Sequence, residues 1–145
     1  MNLEDLKLNI SKDALVDSSE LGNEAIKTPQ LHSKYLCLHA DFKLILCKQV
    51  NDLAILKLRK WKIFTGKASR EELEAWGEDP NGLTLLKTDV EKFIEADPKV
   101  IELKSKVAVT EVKLRIVEDF LKSLNNRNFM IKSAIDWQKM MNGII

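Results

Sequence analysis

Thr28-Pro29-Gln30-Leu31-His32-Ser33-Lys34-Tyr35-Leu36-Cys37-Leu38-His39-Ala40-Asp41-Phe42-Lys43-Leu44-Ile45 is the stretch that decides the fold class. Leu31, Tyr35, Leu38, Phe42 and Ile45 recur at 4-3-4-3 spacing, the period of a heptad seam on one helix face. The seam continues, shifted by a residue, through Leu46, Val50, Leu53 and Leu56. Neither glycine nor a further proline interrupts the chain between Pro29 and Thr65. The pattern predicts one helix over that span, with Thr28 as N-cap, Pro29 at the first helical position and Gly66 as C-cap. At 1.5 Å per residue it is on the order of 55 Å long, more than a small domain covers unaided. It must pack against a second long helix or against another subunit.

The flanking sequence supplies that second helix. Asp97-Pro98 repeats the Thr28-Pro29 signal and predicts a helix to about Leu124, with Val100, Leu103, Val107, Leu114, Val117 and Leu121 on its apolar face. Shorter elements fill the remainder. One or two helices occupy the first 28 residues, the later one capped within Asp17-Ser18-Ser19-Glu20 and running to Lys27. Ser69-Arg70-Glu71-Glu72 reads as a capping box for a helix through Trp76. Gly77 to Gly82 is a turn-rich break, and a helix follows from about Thr84 to Ala96. Asn125-Asn126 reads as a break before a last helix, about Asn128 to Asn142. Its Met130, Ala134, Trp137, Met141 and Ile144 line one stripe opposite Lys132, Asp136 and Lys139. The reading is an all-α protein: two long helices packed with shorter ones, divided into a helical domain over 1–124 and a C-terminal amphipathic oligomerisation helix over 125–145.

Composition agrees. Apolar residues are 45% of the 145, charged residues 31%, and Gly (5) and Pro (3) are scarce, which suits one globular helical domain with a real core. No apolar run approaches the roughly 20 residues of a membrane span, and Met1-Asn2-Leu3-Glu4-Asp5 lacks the basic and apolar regions of a signal peptide, so none is expected. Cys37 and Cys47 make no metal-ligand or redox motif, as expected of free thiols in a reducing compartment. His32 and His39 lack a carboxylate or thiol at i+4, so no metal is expected. No phosphate-binding loop, dinucleotide fingerprint, nucleophile elbow or zinc-protease motif occurs. Neither a cofactor nor an enzymatic activity is expected.

The net charge of +1 hides a local asymmetry. Lys43, Lys48, Lys57, Arg59, Lys60, Lys62, Lys67 and Arg70 face one acid, Asp52, within 43–70. Nine acids then fall between Glu71 and Asp97 against Lys87 and Lys92. The densest point is Lys57-Leu58-Arg59-Lys60-Trp61-Lys62-Ile63-Phe64. Cations interleaved with rings that bases can stack on read as a single-stranded nucleic-acid surface, with Lys57, Arg59, Lys60, Trp61, Lys62 and Phe64 as its residues. On a helical wheel Lys48, Arg59 and Lys62 share one side, while Lys57 and Lys60 point elsewhere. The cations therefore surround the helix end, where they also complement its dipole. A helical scaffold that binds only proteins is the competing reading. The acidic segment reads as a solvated face, or as a partner for the basic cluster of a neighbouring subunit.

With these features in place the chain resembles the UvsY family of recombination mediators from large tailed bacteriophages. The likeness runs through Leu3-Glu4-Asp5-Leu6, Asp17-Ser18 with Glu24-Ala25, Ser33-Lys34-Tyr35-Leu36 with His39, and the basic stretch closing at Gly66. It continues through Ala96-Asp97, Asp119-Phe120, and Arg127 with Phe129, Ile131-Lys132 and Ile135. The resemblance implies a non-enzymatic protein in the cytoplasm of an infected bacterial host. It implies that single-stranded DNA, a UvsX-type recombinase and the phage single-stranded-DNA-binding protein are its partners, and that it assembles as a hexamer or heptamer ring. The family's DNA-binding Lys-x-Arg falls on Lys57 and Arg59 by pattern, or on Leu58 and Lys60 when counted back from Thr65-Gly66. Its aromatic pair is represented by Ile63-Phe64, and Trp61 stands near the missing ring. The family's C-terminal part is associated with assembly, which coincides with the terminal stripe.

Overall fold

The computed structural model describes residues 1–143; Ile144, the last member of the terminal stripe, lies outside them. The described residues form five helices and no strand: α1 (Leu3–Asp13), α2 (Leu21–Thr65), α3 (Arg70–Ala75), α4 (Lys87–Glu95) and α5 (Pro98–Met141). They pack as two compact units, Met1–Leu44 with Val109–Ile145, and Ile45–Ala108. Both long helices contribute a segment to each unit.

In the first unit Leu6 of α1, Leu21, Tyr35 and Phe42 of α2, and Leu114, Val117, Phe120, Leu124 and Ile131 of α5 are buried. The Tyr35 ring meets Phe120 edge-on, with centroids 4.6 Å apart. Tyr35 Oη donates to Asp13 Oδ2 (2.7 Å), which Lys34 Nζ also reaches (2.6 Å). Burial raises the Tyr35 phenol, and its bond to Asp13 raises it further. The seam expected on α2 is thus realised at Tyr35 and Phe42, half-realised at Leu31 and Leu38, and not at Ile45, which is exposed.

Two expected boundaries are absent. Helix α2 does not begin at Thr28-Pro29; it starts at Leu21 and runs through Pro29. The Thr28 hydroxyl is engaged elsewhere. It donates to Asn128 Oδ1 (2.7 Å) and accepts from Arg127 Nη1 (2.6 Å). Arg127 also donates to the Glu24 carbonyl, and through Nη2 to the Glu24 carboxylate at 2.7 Å. These side-chain bonds hold the turn where a proline ring removes a backbone donor. Nor does Asn125-Asn126 interrupt α5. Leu124, Arg127 and Ile131 are all buried on one side of the helix, and that packing outweighs the weak preference of asparagine for turns. Residues 125–141 are therefore the end of α5, not a separate helix.

In the second unit Val90, Ile94 and Val100 form the core, with Leu53, Leu56, Phe64 and Leu85 packed on it. Ser69 closes the expected capping box with Glu72. Pro98 does open a helix, because Asp97 Oδ1 accepts from the backbone N–H of Lys99 (3.0 Å) and Val100 (3.2 Å). Helix α4 starts three residues later than expected, at Lys87. The Leu85 N–H donates to the Phe64 carbonyl (2.8 Å), which keeps the preceding residues extended along the end of α2.

Candidate nucleic-acid interface

The basic stretch forms the last turns of α2. Gly66 (φ 72°) then reverses the chain, so that the N–H groups of Lys67 (2.9 Å) and Ala68 (3.2 Å) cap the Lys62 carbonyl. A side chain at 66 would be strained by that φ, and its Cβ would meet Thr84 Cγ2 at 2.8 Å. The turn delivers α3 and α4 to the cationic end of α2, and the acidic segment comes with them.

Most of the cluster is consequently neutralised within the chain. Lys57 Nζ lies 3.1 Å from Glu95, whose carboxylate also holds Lys104. Lys60 sits between Asp97 (3.2 Å) and Glu78 (3.9 Å), and its side chain is 12% exposed. Lys62 Nζ donates to Glu72 Oε2 at 3.1 Å. That bond, with the Ser69 backbone N–H, holds the Glu72 carboxyl below the usual carboxylate range. Glu72, Glu78, Glu95 and Asp97 thus meet the cations within the chain, while Glu71, Asp79 and Glu91 are exposed and make no ion pair among the described residues.

Two cations lie against rings instead of acids. The Arg59 guanidinium is 5.6 Å from the centroid of Trp76, and Lys67 Nζ is 4.6 Å from that of Trp61. Neither makes an ion pair among the described residues. Trp61 is exposed, whereas Phe64 packs on Val90, Ile94 and Val100 and meets Phe93 edge-on at 6.3 Å. Of the two rings read from the sequence, Trp61 is therefore the one on the surface. Arg59 and Trp76 border a cleft of about 230 Å³ that Lys60, Lys99 and the Glu78 carboxylate share. Among the described residues no group of side chains could hold a metal ion, and no helix is long and apolar enough to cross a membrane.

A family model described as "Recombination, repair and ssDNA binding protein UvsY" matches residues 9–144. The chain belongs to the UvsY family. The recombination protein uvsY of Enterobacteria phage T4 is 23% identical over 136 residues, which span 94% of each chain. Crystal structures of the bacteriophage T4 recombination mediator protein UvsY share the fold. The lattice type IV form has a TM-score of 0.79 at 21% identity, covering 97% of this chain and 99% of that one. The lattice type II form has a TM-score of 0.78 at 20% identity, covering 98% of each.

In this UvsY-family chain the terminal stripe lies largely open. Met130, Trp137 and Met141 are exposed and Ala134 is half-buried. Phe129 and Met140, outside the 4-3-4-3 stripe, are exposed as well. On the basic end, sequence reading named the α2 cations as the site, counted Lys67 and Lys87 only in the charge balance, and left both out of the site with Trp76 and Lys99. Lys67 and Trp76 fall just past the ends of α2 and α3, and Lys87 and Lys99 stand in the first turns of α4 and α5, so only the turns between those helices bring them to the end of α2.

Proposed function

We propose that this protein is a non-enzymatic recombination mediator that binds single-stranded DNA and helps load a UvsX-type recombinase onto DNA covered by the phage single-stranded-DNA-binding protein. The observation that carries the reading is the pair of ring-stacked cations, Arg59 on Trp76 and Lys67 on Trp61, in a chain whose family is described as binding single-stranded DNA. Cations that make no ion pair attract phosphate, and the rings suit bases of any sequence. Lys57 and Lys62 join them by exchanging partners. Both are about one-third exposed, and surface ion pairs contribute only about 0–1 kcal/mol, so phosphate competes with Glu95 and Glu72 on even terms. Lys60 and Phe64 act from behind, by fixing the end of α2.

One such site is shallow. Several copies on one strand supply avidity, and we assign residues 125–145 to assembly, through Met130, Ala134, Trp137, Met141 and Ile144, into a hexamer or heptamer ring. The working place is the cytoplasm of the infected bacterial host.

The test is ATP hydrolysis by a UvsX-type recombinase on a strand precoated with the phage single-stranded-DNA-binding protein. Adding this protein should shorten the lag before hydrolysis. An unchanged lag across a range of concentrations contradicts the mediator role.

A further inference from the structure

We propose that a cleft beside the C-terminal end of α2, formed by Trp61, Thr65, Lys67, Leu85 and Lys87, is a nucleotide seat: one base of the bound strand stacks on Trp61 while Lys67 and Lys87 hold the flanking phosphates. The inference rests on the single-strand reading above and specifies which ring and which cations do the work.

The cleft has a volume of about 310 Å³, ample for one base, and the buried Val90 also lines it. Local chain geometry builds it. The positive-φ turn at Gly66 brings Lys67 back over the last turn of α2, and the Leu85 N–H to Phe64 carbonyl bond lays Leu85 and Lys87 alongside. Thr65 Oγ1 donates to the Trp61 carbonyl (2.7 Å) and steadies the turn that carries the indole.

Its electrostatics single it out. No carboxylate lines it, and neither Lys67 nor Lys87 makes an ion pair among the described residues. The neighbouring cleft at Arg59 and Trp76 includes Glu78, which repels phosphate. The Lys67 ammonium now occupies a face of the Trp61 ring. An exposed cation–π contact is weaker than base–aromatic stacking, so a base displaces the ammonium, and the displaced ammonium is then free to meet the adjoining phosphate.

The experiment compares a thymidine oligonucleotide with an abasic one of equal phosphate number, for wild type, Trp61→Leu, Trp61→Phe and Lys67→Ala with Lys87→Ala. Wild type should prefer the base-bearing strand by about tenfold or more, the range of a single stacked base. Trp61→Leu should lose that preference, with circular dichroism and melting temperature like wild type to show that it is folded. Trp61→Phe should retain part of it. The double lysine variant should weaken both strands and flatten the logarithmic salt dependence by about 1.4, two phosphates at about 0.7 each. If Trp61→Leu keeps the wild-type preference, or the lysine variant keeps the wild-type salt dependence, the seat is wrong while single-strand binding stands. If wild type binds neither strand, the functional reading falls with it.

Discussion

Lys60 and Asp97 close a 3.2 Å ion pair at which each side chain is only 12% exposed, where the basic end of α2 meets the N-cap of α5. Around it Lys57 and Lys62 hold Glu95 and Glu72 in more open pairs. The acids that follow the basic segment in sequence therefore compete with any anionic ligand for the same cations.

Releasing that competition should tighten binding. Glu72→Gln with Glu95→Gln should raise affinity for an oligonucleotide about two- to tenfold, as expected for removing two weak surface pairs. Glu91→Gln changes charge on the same helix as Glu95, and Glu91 makes no ion pair among the described residues, so it should have a smaller effect per charge. Equal gains per charge, measured by fluorescence anisotropy, would reduce the effect to net charge alone.

Gly66 should resist substitution. Gly66→Ala forces a left-handed backbone and drives a methyl into Thr84 Cγ2. It should destabilise the chain by about 1–2 kcal/mol in urea unfolding. Wild-type stability would mean that the turn relaxes freely.

Two X-Pro pairs show how far the sequence could be read. Thr28-Pro29 and Asp97-Pro98 carry the same local signal, and only the second starts a helix. Asp97 turns its carboxylate to the N–H groups of Lys99 and Val100. Thr28 instead gives its hydroxyl to Asn128 and Arg127, a hundred positions away, which no local pattern reports. The long helices themselves were legible because nothing breaks Pro29 to Thr65 and the apolar period persists. The cation cluster was legible for the same reason. The acids that neutralise it, and Lys67 and Lys87 beside Trp61, were not, because a glycine turn and one backbone bond from Leu85 bring them there.

The buried pair of Arg127 and Glu24 makes a pH prediction. Bonds from Lys27 and then Arg127 outweigh burial and hold the Glu24 carboxyl below its usual range. His39 does the same for Glu118, whose carboxylate it meets at 2.9 Å. A depressed folded value means the stabilisation is complete above the unfolded carboxylate range and is lost as pH falls through the folded values. The melting temperature should therefore drop steeply below about pH 4.5, and less steeply in Glu24→Gln, which starts lower. Parallel curves for the two proteins would contradict the assignment.

The exposed end of α5 predicts an assembly defect. Trp137→Asp with Met141→Asp places two charges on the stripe and should give monomers or small species in sedimentation velocity, with helical content retained. A large assembly of unchanged size would remove the stripe from the interface.

Single-strand binding itself is tested most directly by anisotropy of a labelled thymidine oligonucleotide over a series of salt concentrations, for wild type and for Lys57, Arg59 and Lys62 changed together to Ala. Wild type should bind at low salt, with affinity falling linearly on a logarithmic plot at a slope of about −2 or steeper, the mark of three or more phosphates held. The triple variant should lose most of that affinity and remain helical. Wild-type binding by the variant would misplace the site, and no binding by wild type at low salt would make the protein a helical adaptor for other proteins.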